Sequence, residues 1–371
     1  MGVTNRFSRQ SADFGHSPAK AGINFLTLFL IAALALFAIG CSPDQGAAPT
    51  ATGESGQNEK PLVVGIVFDS GGRGDKSFND SAWAGIQVAQ NELGIQSKPI
   101  ESKTESDYPS NIELLARQNV DMVIAVGISM RSAMEDVAAR YPDMKFAIID
   151  APVDLPNVRA IQFKEEEGSF LAGYAAGLAS KTGKIGFVGG MELPLIKKFE
   201  AGYIAGAKTA NPKIEVLPAR YVGSWDNVDS AKTAANLLYG QGADVVYHAA
   251  GRAGLGVIRA AQERNALAIG VDSDQDDIAP GSVLTSMLKR VDNAVLSTIR
   301  DLHRGEFTPG TVVYTLEDDG VGLTDFRHTR DRIGEENLKR LDEVRLQIIE
   351  GEIQVPSTPA ELQEYLESLS S

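Results

Sequence analysis

The chain has 371 residues, with 35 Lys and Arg against 49 Asp and Glu, a formal charge of −14 and 43% hydrophobic residues. Such an acidic surface repels phosphate backbones and argues against a nucleic-acid binder, while the length suffices for two α/β lobes with cores of their own. The single cysteine, Cys41, excludes an intrachain disulfide framework, and His16, His248, His303 and His328 lack the spacing of a metal site, so no metal or cofactor is expected.

A polar, weakly basic lead ends at Lys20; AGINFLTLFLIAALALFAIG then runs apolar to Gly40 and stops at Cys41. Residues 1–40 read as a signal peptide, outside the fold. Two outcomes follow from this segment: cleavage before Cys41 with lipid attached to its sulfur, or retention of a run just long enough to span a bilayer. Either way the body is expected outside the cytoplasm, anchored at the membrane. Residues 41–60, small and polar, have nothing to bury and read as a tether.

From Pro61 onward, apolar runs of strand length alternate with amphipathic helical stretches. LVVGIVF precedes a helix through SAWAGIQVAQNEL, VDMVIAVG precedes RSAMEDVAARY, and KFAIID and VRAIQF follow. The pattern restarts after Lys164 with helix SFLAGYAAGLAS, strand KIGFVGG, helix LIKKFEAGYIAGAKTA, strand IEVLPARYV, helix DSAKTAANLLYGQG, strand ADVVYHAA, helix GLGVIRAAQERN and strand LAIGVDS. Strands apolar throughout and joined by helices imply parallel sheets covered on both faces. The expected architecture is α/β: two doubly wound Rossmann-like lobes joined by a multi-strand hinge, with a ligand cleft at the carboxyl ends of the strands. The late segments SVLTSML, VDNAVLSTIRDLHRG and GTVVYTL are expected to return to the first lobe and cross back. The boundaries place lobe 1 at 61–162 plus 289–311, lobe 2 at 163–288 plus 312–329, and a helical extension at 330–371.

The loop VFDSGGRGDKSFND invites comparison with a phosphate cradle, G-x-x-x-x-G-K-[ST]. Aligned on Lys76 and Ser77, it puts Ser70 and Asp75 where the glycines belong, and Asp75 would aim a carboxylate at phosphate. The segment GRAGLG at Gly251 to Gly256 also fails the dinucleotide pattern. What remains is an acid at a strand end, Asp69, and an aromatic at a helix mouth, Phe78. They suit either a turn and a core ring, or a hydroxyl-bearing ligand stacked on that ring.

FDSGGRGDKSFNDSAWAGI resembles the opening signature of the basic membrane protein family, substrate-binding lipoproteins whose characterised members are purine-nucleoside receptors of ABC importers. The resemblance continues through VGISM, FAIID, QFKEEEGSFLAGYAAGLAS, PLIKKFEAGYIAGA, VVYHAAGRAGLGV, IGVDSDQD, LTSMLKRVDNAV and IIEGEIQVP, covering Pro61 to Pro356. It implies a type I periplasmic-binding-protein fold and a nucleoside ligand between aromatic rings, one of them Phe78. It further implies polar contacts from Asp69 and Ser70, with Asn79 either bonding the ligand or capping a helix. On the other lobe it implies Asp272 accepting from the ribose hydroxyls and Lys289 donating to the ribose oxygens or pairing with Asp272. The second ring is left open among Tyr247, His248 and Trp225, and the turn from Gly251 to Gly254 lets backbone approach the ligand. Ser132 stands where relatives often carry an acid, which leaves other solutes open.

No catalytic constellation emerges, so the expectation is a monomeric binding protein, not an enzyme, delivering a small molecule to an ABC permease. The alternatives are a nucleoside-processing hydrolase or phosphorylase using Asp69, Asp75 or Asp272, and a ligand sensor on the same fold.

Overall fold

The structure, a computed structural model, describes residues 60–369. The expected signal peptide, Cys41 and all of the tether but Lys60 lie outside the described residues.

The first half alternates strand and helix: β1 (Val63–Phe68), α1 (Phe78–Leu93), β2 (Gln96–Glu101), α2 (Tyr108–Arg117), β3 (Met122–Val126), α3 (Arg131–Arg140), β4 (Lys145–Ile149) and β5 (Val158–Phe163). VVGIVF and MVIAV are buried at every position, because a parallel sheet covered by helices on both faces leaves no side for polar residues. β2 lies at the edge and reads differently. QSKPIE is exposed or half-buried throughout, and Pro99, with no N–H to donate, is tolerated there.

The second half runs α4 (Glu165–Ala179), β6 (Lys184–Gly189), α5 (Pro194–Ala210), β7 (Glu215–Val216), β8 (Arg220–Tyr221), α6 (Val228–Gly240), β9 (Val245–Ala249), α7 (Leu255–Arg264), β10 (Leu267–Asp272) and β11 (Val283–Lys289). IEVLPARYV, expected as one strand, forms the two short strands β7 and β8 on either side of Pro218, each paired with β6. Proline removes a ladder donor and breaks the run. The chain then forms α8 (Val291–His303), β12 (Gly310–Tyr314), β13 (Val321–Leu323), α9 (Arg330–Ile333), α10 (Glu335–Ile349) and α11 (Pro359–Ser368).

Two sheets result, ordered β2-β1-β3-β4-β5-β12 and β7-β6-β9-β10-β11-β13, all pairs parallel except β11 with β13. The late segments divide between the lobes. SVLTSML forms β11 in the second sheet, where it extends the parallel ladder of β10, whereas β12 edges the first sheet beside β5. The division drawn between 311 and 312 therefore falls inside β12. The chain crosses between the lobes three times, at Lys164, at Arg290 and through 315–320. Two of these crossings are tied to the third, Lys164 N–H to Tyr314 C=O and Arg290 N–H to Gly320 C=O, both at 2.9 Å.

Helix α4 is buried on every side, as expected of a helix enclosed in a large core. Its glycines let α5 approach backbone to backbone: a Cβ on Gly173 would lie 1.9 Å from the carbonyl oxygen of Tyr203, and one on Gly206 equally close to that of Phe170. This contact holds the first turn of α4, Glu165 to Glu167, at the floor of the cleft. Tyr365 of α11 meets Phe170 edge-on, with ring centroids 6.2 Å apart, and closes the outer side of this pair. Among the described residues no helix is long and apolar enough to cross a membrane.

Candidate functional site

In both sheets the strand order reverses beside the first strand of the lobe, between β1 and β3 and between β6 and β9. Loops leaving two such strands diverge in opposite directions and open a crevice, which is where ligands settle in folds of this kind. The two crevices face one another across a cavity lined by both lobes. Lobe 1 contributes Asp69, Phe78, Asn79, Gly127 and Asp150 to its wall; lobe 2 contributes Phe199, Trp225, Gly251, Arg252 and Asp272, with Lys289 at the hinge.

Three of the acids share one origin. Asp69 directly follows β1, Asp150 follows β4 and Asp272 ends β10, and the last two hold φ of 71° and 65°. A strand end at the cleft thus turns its carboxylate inward. Asp69 is legible in the sequence as an acid at a strand end, Asp272 is expected from the family resemblance, and Asp150 is missed although KFAIID carries the same strand-end signal.

The glycine-rich loop shows why it cannot cradle phosphate. The fully buried carboxylate of Asp75 accepts from the amides of Ser77 (2.9 Å), Asn79 (2.8 Å) and Asp80 (3.1 Å) at the mouth of α1. The donors a phosphate would need are already taken by an acid of the chain itself. Asp75 also accepts from Asn79 Nδ2 at 3.1 Å, while the other Nδ2 hydrogen reaches Asp69 Oδ1 at 2.8 Å. Asn79 Oδ1 is thereby left buried and without a partner at the cavity wall. A buried acceptor of this kind calls for a donor from the ligand.

The electrostatics are those of a carboxylate-rich pocket. Burial raises Asp69 to about 6, with the charge of Asp75 adding to the shift and the bonds from Asn79 and Gly71 opposing it. Burial raises Asp272 to about 7 against the pull of Lys289 and of the Ser77 hydroxyl, which hydrogen-bonds its Oδ2. Lys289 is 1% exposed, with Nζ 2.6 Å from Asp150 and 3.0 Å from Glu165. Burial works against its charge, but these carboxylates and Asp272 outweigh that and hold the ammonium above its usual range. Its direct partners are thus Asp150 and Glu165, and not Asp272, the partner in one of its two expected roles. Nζ also lies over the rings of Phe78, Phe163 and Phe199, at 5.3, 5.0 and 5.6 Å.

Of the residues expected at the site, Asp69, Phe78, Asn79, Gly251, Asp272 and Lys289 line this cavity; Ser70 and Tyr247 do not. Ser70 faces an outer groove, and its amide donates to the Tyr108 hydroxyl at 3.3 Å. Tyr247 points to the sheet face covered by α4 and α5, packed on Phe187 and Tyr203 with ring centroids 5.6 and 5.1 Å away and its hydroxyl 3.1 Å from Ser169 Oγ. Two residues short of the end of β9, its side chain follows the alternation of the strand and cannot reach beyond it. His248, on the opposite face, is held neutral by burial, its value lowered to about 4, with Nε2 3.1 Å from Gln275 Oε1. Of the three rings considered for lobe 2, Trp225 is the one at the cavity. Phe199 went unnoticed because Ile196, Phe199 and Tyr203 repeat at the spacing of an ordinary core face.

Two parallel α/β lobes enclosing a cavity between their switch points define the periplasmic-binding class of fold. The model of the family described as ABC transporter substrate-binding protein PnrA-like matches residues 62–359, and the chain belongs to that family. Its relatives include the ABC transporter nucleoside-binding protein BmpA of Lactococcus lactis, 35% identical over 330 residues that cover 83% of this chain and 92% of that protein. The CD4+ T-cell-stimulating antigen of Listeria innocua is 34% identical over 357 residues, covering 90% of this chain and 98% of that one. Among solved structures, an ABC transporter system solute-binding protein from Aeropyrum pernix superposes with a TM-score of 0.77 at 30% identity, covering 84% of this chain and 98% of its own.

Proposed function

We propose that this protein captures a purine-type nucleoside outside the cytoplasm and delivers it, as a monomer, to the permease of an ABC importer. The observation that carries the reading is the bias of the cavity toward acceptors. The oxygens of Asp69, the free Oδ1 of Asn79 and the carboxylate of Asp272 stand beside Phe78 and Trp225. A flat base with N–H donors and a ribose with hydroxyls supply what such walls lack, and stacking adds about 1–3 kcal/mol per base. The relative named as a nucleoside-binding protein supports the same ligand class.

In this reading Phe78 stacks on the base with Trp225 as the second ring, Asp69 and Asn79 read the base edge, Asp272 takes the ribose hydroxyls, and Lys289 donates its remaining N–H to the ligand. Gly251 keeps the wall thin. The charge of Lys289 is already balanced by Asp150 and Glu165, and Arg252 is engaged with the backbone carbonyls of Gly71 and Arg73, so a phosphate would chiefly meet the carboxylates of Asp69 and Asp272. In isothermal calorimetry, inosine is expected to bind one to one and inosine 5′-monophosphate at least about tenfold more weakly, a gap of about 1.4 kcal/mol or more. Equal affinities, or no inosine binding, would refute the reading, and so would release of free hypoxanthine on incubation.

The lone Cys41, placed where the apolar run ends, supports a lipid anchor on its sulfur. Metabolic labelling with radioactive palmitate is expected to mark the wild-type chain and not Cys41→Ser; equal labelling would dismiss the anchor.

A further inference from the structure

The glycine-rich loop and the turn from Gly251 to Gly254 are the two sequence features that ligand contact leaves largely unused, and they meet across the cleft. Amides of the loop are committed within lobe 1: Gly74 and Lys76 donate to Asp80 at 2.6 and 3.0 Å, and Ser77 donates to Asp75. Its carbonyls are free to point the other way, with Gly72 and Gly74 at φ of 61° and 84° turning the chain as only glycine does without strain. Lobe 2 takes up these carbonyls with side-chain donors. Arg252 gives Nε to Gly71 C=O at 2.8 Å and Nη2 to Arg73 C=O at 2.8 Å, with Gly72 C=O at 3.5 Å. Further along, Gln275 Nε2 reaches Lys76 C=O at 2.9 Å and Ser273 Oγ reaches Ser77 C=O at 3.0 Å.

Arg252 occupies a particular place in this seam. Outside the cavity lies an open groove bounded by Arg73, Trp83, Glu101 and Lys103, and Gly71 and Arg252 line both spaces. The guanidinium and the carbonyl it holds are therefore the partition between cavity and solvent. Among the described residues no carboxylate pairs with Arg252, whereas neighbouring Arg73 is bound to Glu101 at 2.5 Å. A guanidinium on neutral carbonyls can exchange them for water when the lobes part, at far less cost than separating a buried ion pair.

We propose that Arg252 is the latch of the cleft, bolting lobe 2 to the outward carbonyls of the glycine-rich loop, so that it stabilises the closed form with or without ligand and sets how fast ligand leaves. It is a positioning residue: it holds the door at the edge of the cavity and leaves the reading of the ligand to the other residues of the wall. The planar fork addresses Gly71 and Arg73 from two separate nitrogens held in fixed geometry, which the single nitrogen of an ammonium does not reproduce.

The test is made on the full chain with Cys41→Ser and nitroxide labels at Lys103→Cys and Asp229→Cys, one on each lobe. Pulsed dipolar spectroscopy without ligand is expected to show a dominant short distance, and Arg252→Ala to shift population to a longer one. Arg252→Gln serves as a second variant should the alanine chain fold poorly, and Arg252→Lys is expected to restore the short distance in part only. In stopped-flow fluorescence, read by Trp225, inosine release is expected to quicken at least tenfold in Arg252→Ala, with the association rate changing less than threefold. An unchanged distance distribution in both the alanine and glutamine variants overturns the latch, whatever inosine does. Failure of inosine to bind the wild-type chain, with the distance shift intact, instead counts against the nucleoside reading and leaves the latch standing.

Discussion

Replacing Lys289 by methionine is expected to destabilise the protein by about 3–5 kcal/mol, the cost of leaving the buried carboxylate of Asp150 without its cation. Asp150 has this ammonium as its ion-pair partner, Glu165 shares it and also meets Lys198 Nζ at 3.3 Å, and the side chains of Lys289, Asp150 and Glu165 are almost wholly enclosed. Methionine keeps the length and apolar stem of lysine, so lost packing contributes little. The penalty has a pH signature. Burial already raises Asp150 to about 6 against the pull of Lys289; without the ammonium it resists ionisation more strongly and protonating it relieves the unpaired charge, so the loss should be larger at pH 8 than at pH 5. Urea unfolding at the two pH values measures it. A loss below about 1 kcal/mol, or one equal at both pH values, would mean that the pair is solvated and contributes as a surface ion pair does.

Asp272→Ala is expected to weaken inosine binding at least tenfold, about 1.4 kcal/mol or more, with the fold retained. The carboxylate lies at the end of β10 with φ of 65° and with Ser77 of the opposite lobe bonded to it, so the substitution removes a ligand acceptor and one tie across the cleft. Its proton linkage runs in two opposite directions. Burial raises the folded value to about 7, above the value of about 3.9 expected in the unfolded chain. The contribution of this group to stability is therefore fully present below pH 4 and is lost as pH rises to 7. Ribose hydroxyls donating to the ionised carboxylate favour the charged form, so affinity should instead strengthen as pH rises through 7, with a proton released on binding near pH 6.5. Calorimetry in two buffers of different ionisation enthalpy reads that proton. An affinity that is flat from pH 6 to 8 and unchanged in the alanine variant would remove Asp272 from the site.

These expectations trace how far residue chemistry can be read before the chain is folded. Strands of β-branched and aliphatic residues, interrupted by helical periodicity, announce two parallel sheets, because burial on both faces permits little else. Acids at strand ends are legible for a related reason: a charged group just beyond a wholly apolar run sits where the sheet stops and the cleft begins. Asp69 is read in this way, Asp272 comes from the family resemblance, and Asp150 carries the same signal unread. The phosphate-cradle question was also answerable from Asp75 alone, since a carboxylate in place of a glycine fills the amide nest itself.

What residue order leaves undecided is which side chains meet across elements distant in the chain. Tyr247 and Trp225 were equally plausible rings for lobe 2; the first faces the core under the sheet and the second the cavity, a difference set by strand pleat and loop path. Phe199 carries the periodicity of a core residue and lines the site only because α5 follows β6 at the switch point. Lys289 could have paired with Asp272, yet α4, drawn in by glycine contacts with α5, brings Glu165 to it, and β4 brings Asp150. The amides of VFDSGGRGDKSFND turn inward to Asp75 and Asp80, and its carbonyls turn outward to Arg252, a residue 179 to 181 positions away. Local chemistry specifies elements and strand ends because burial and backbone hydrogen bonding act over a few residues. Partnerships across the cleft depend on long-range packing, which only the closed tertiary structure defines.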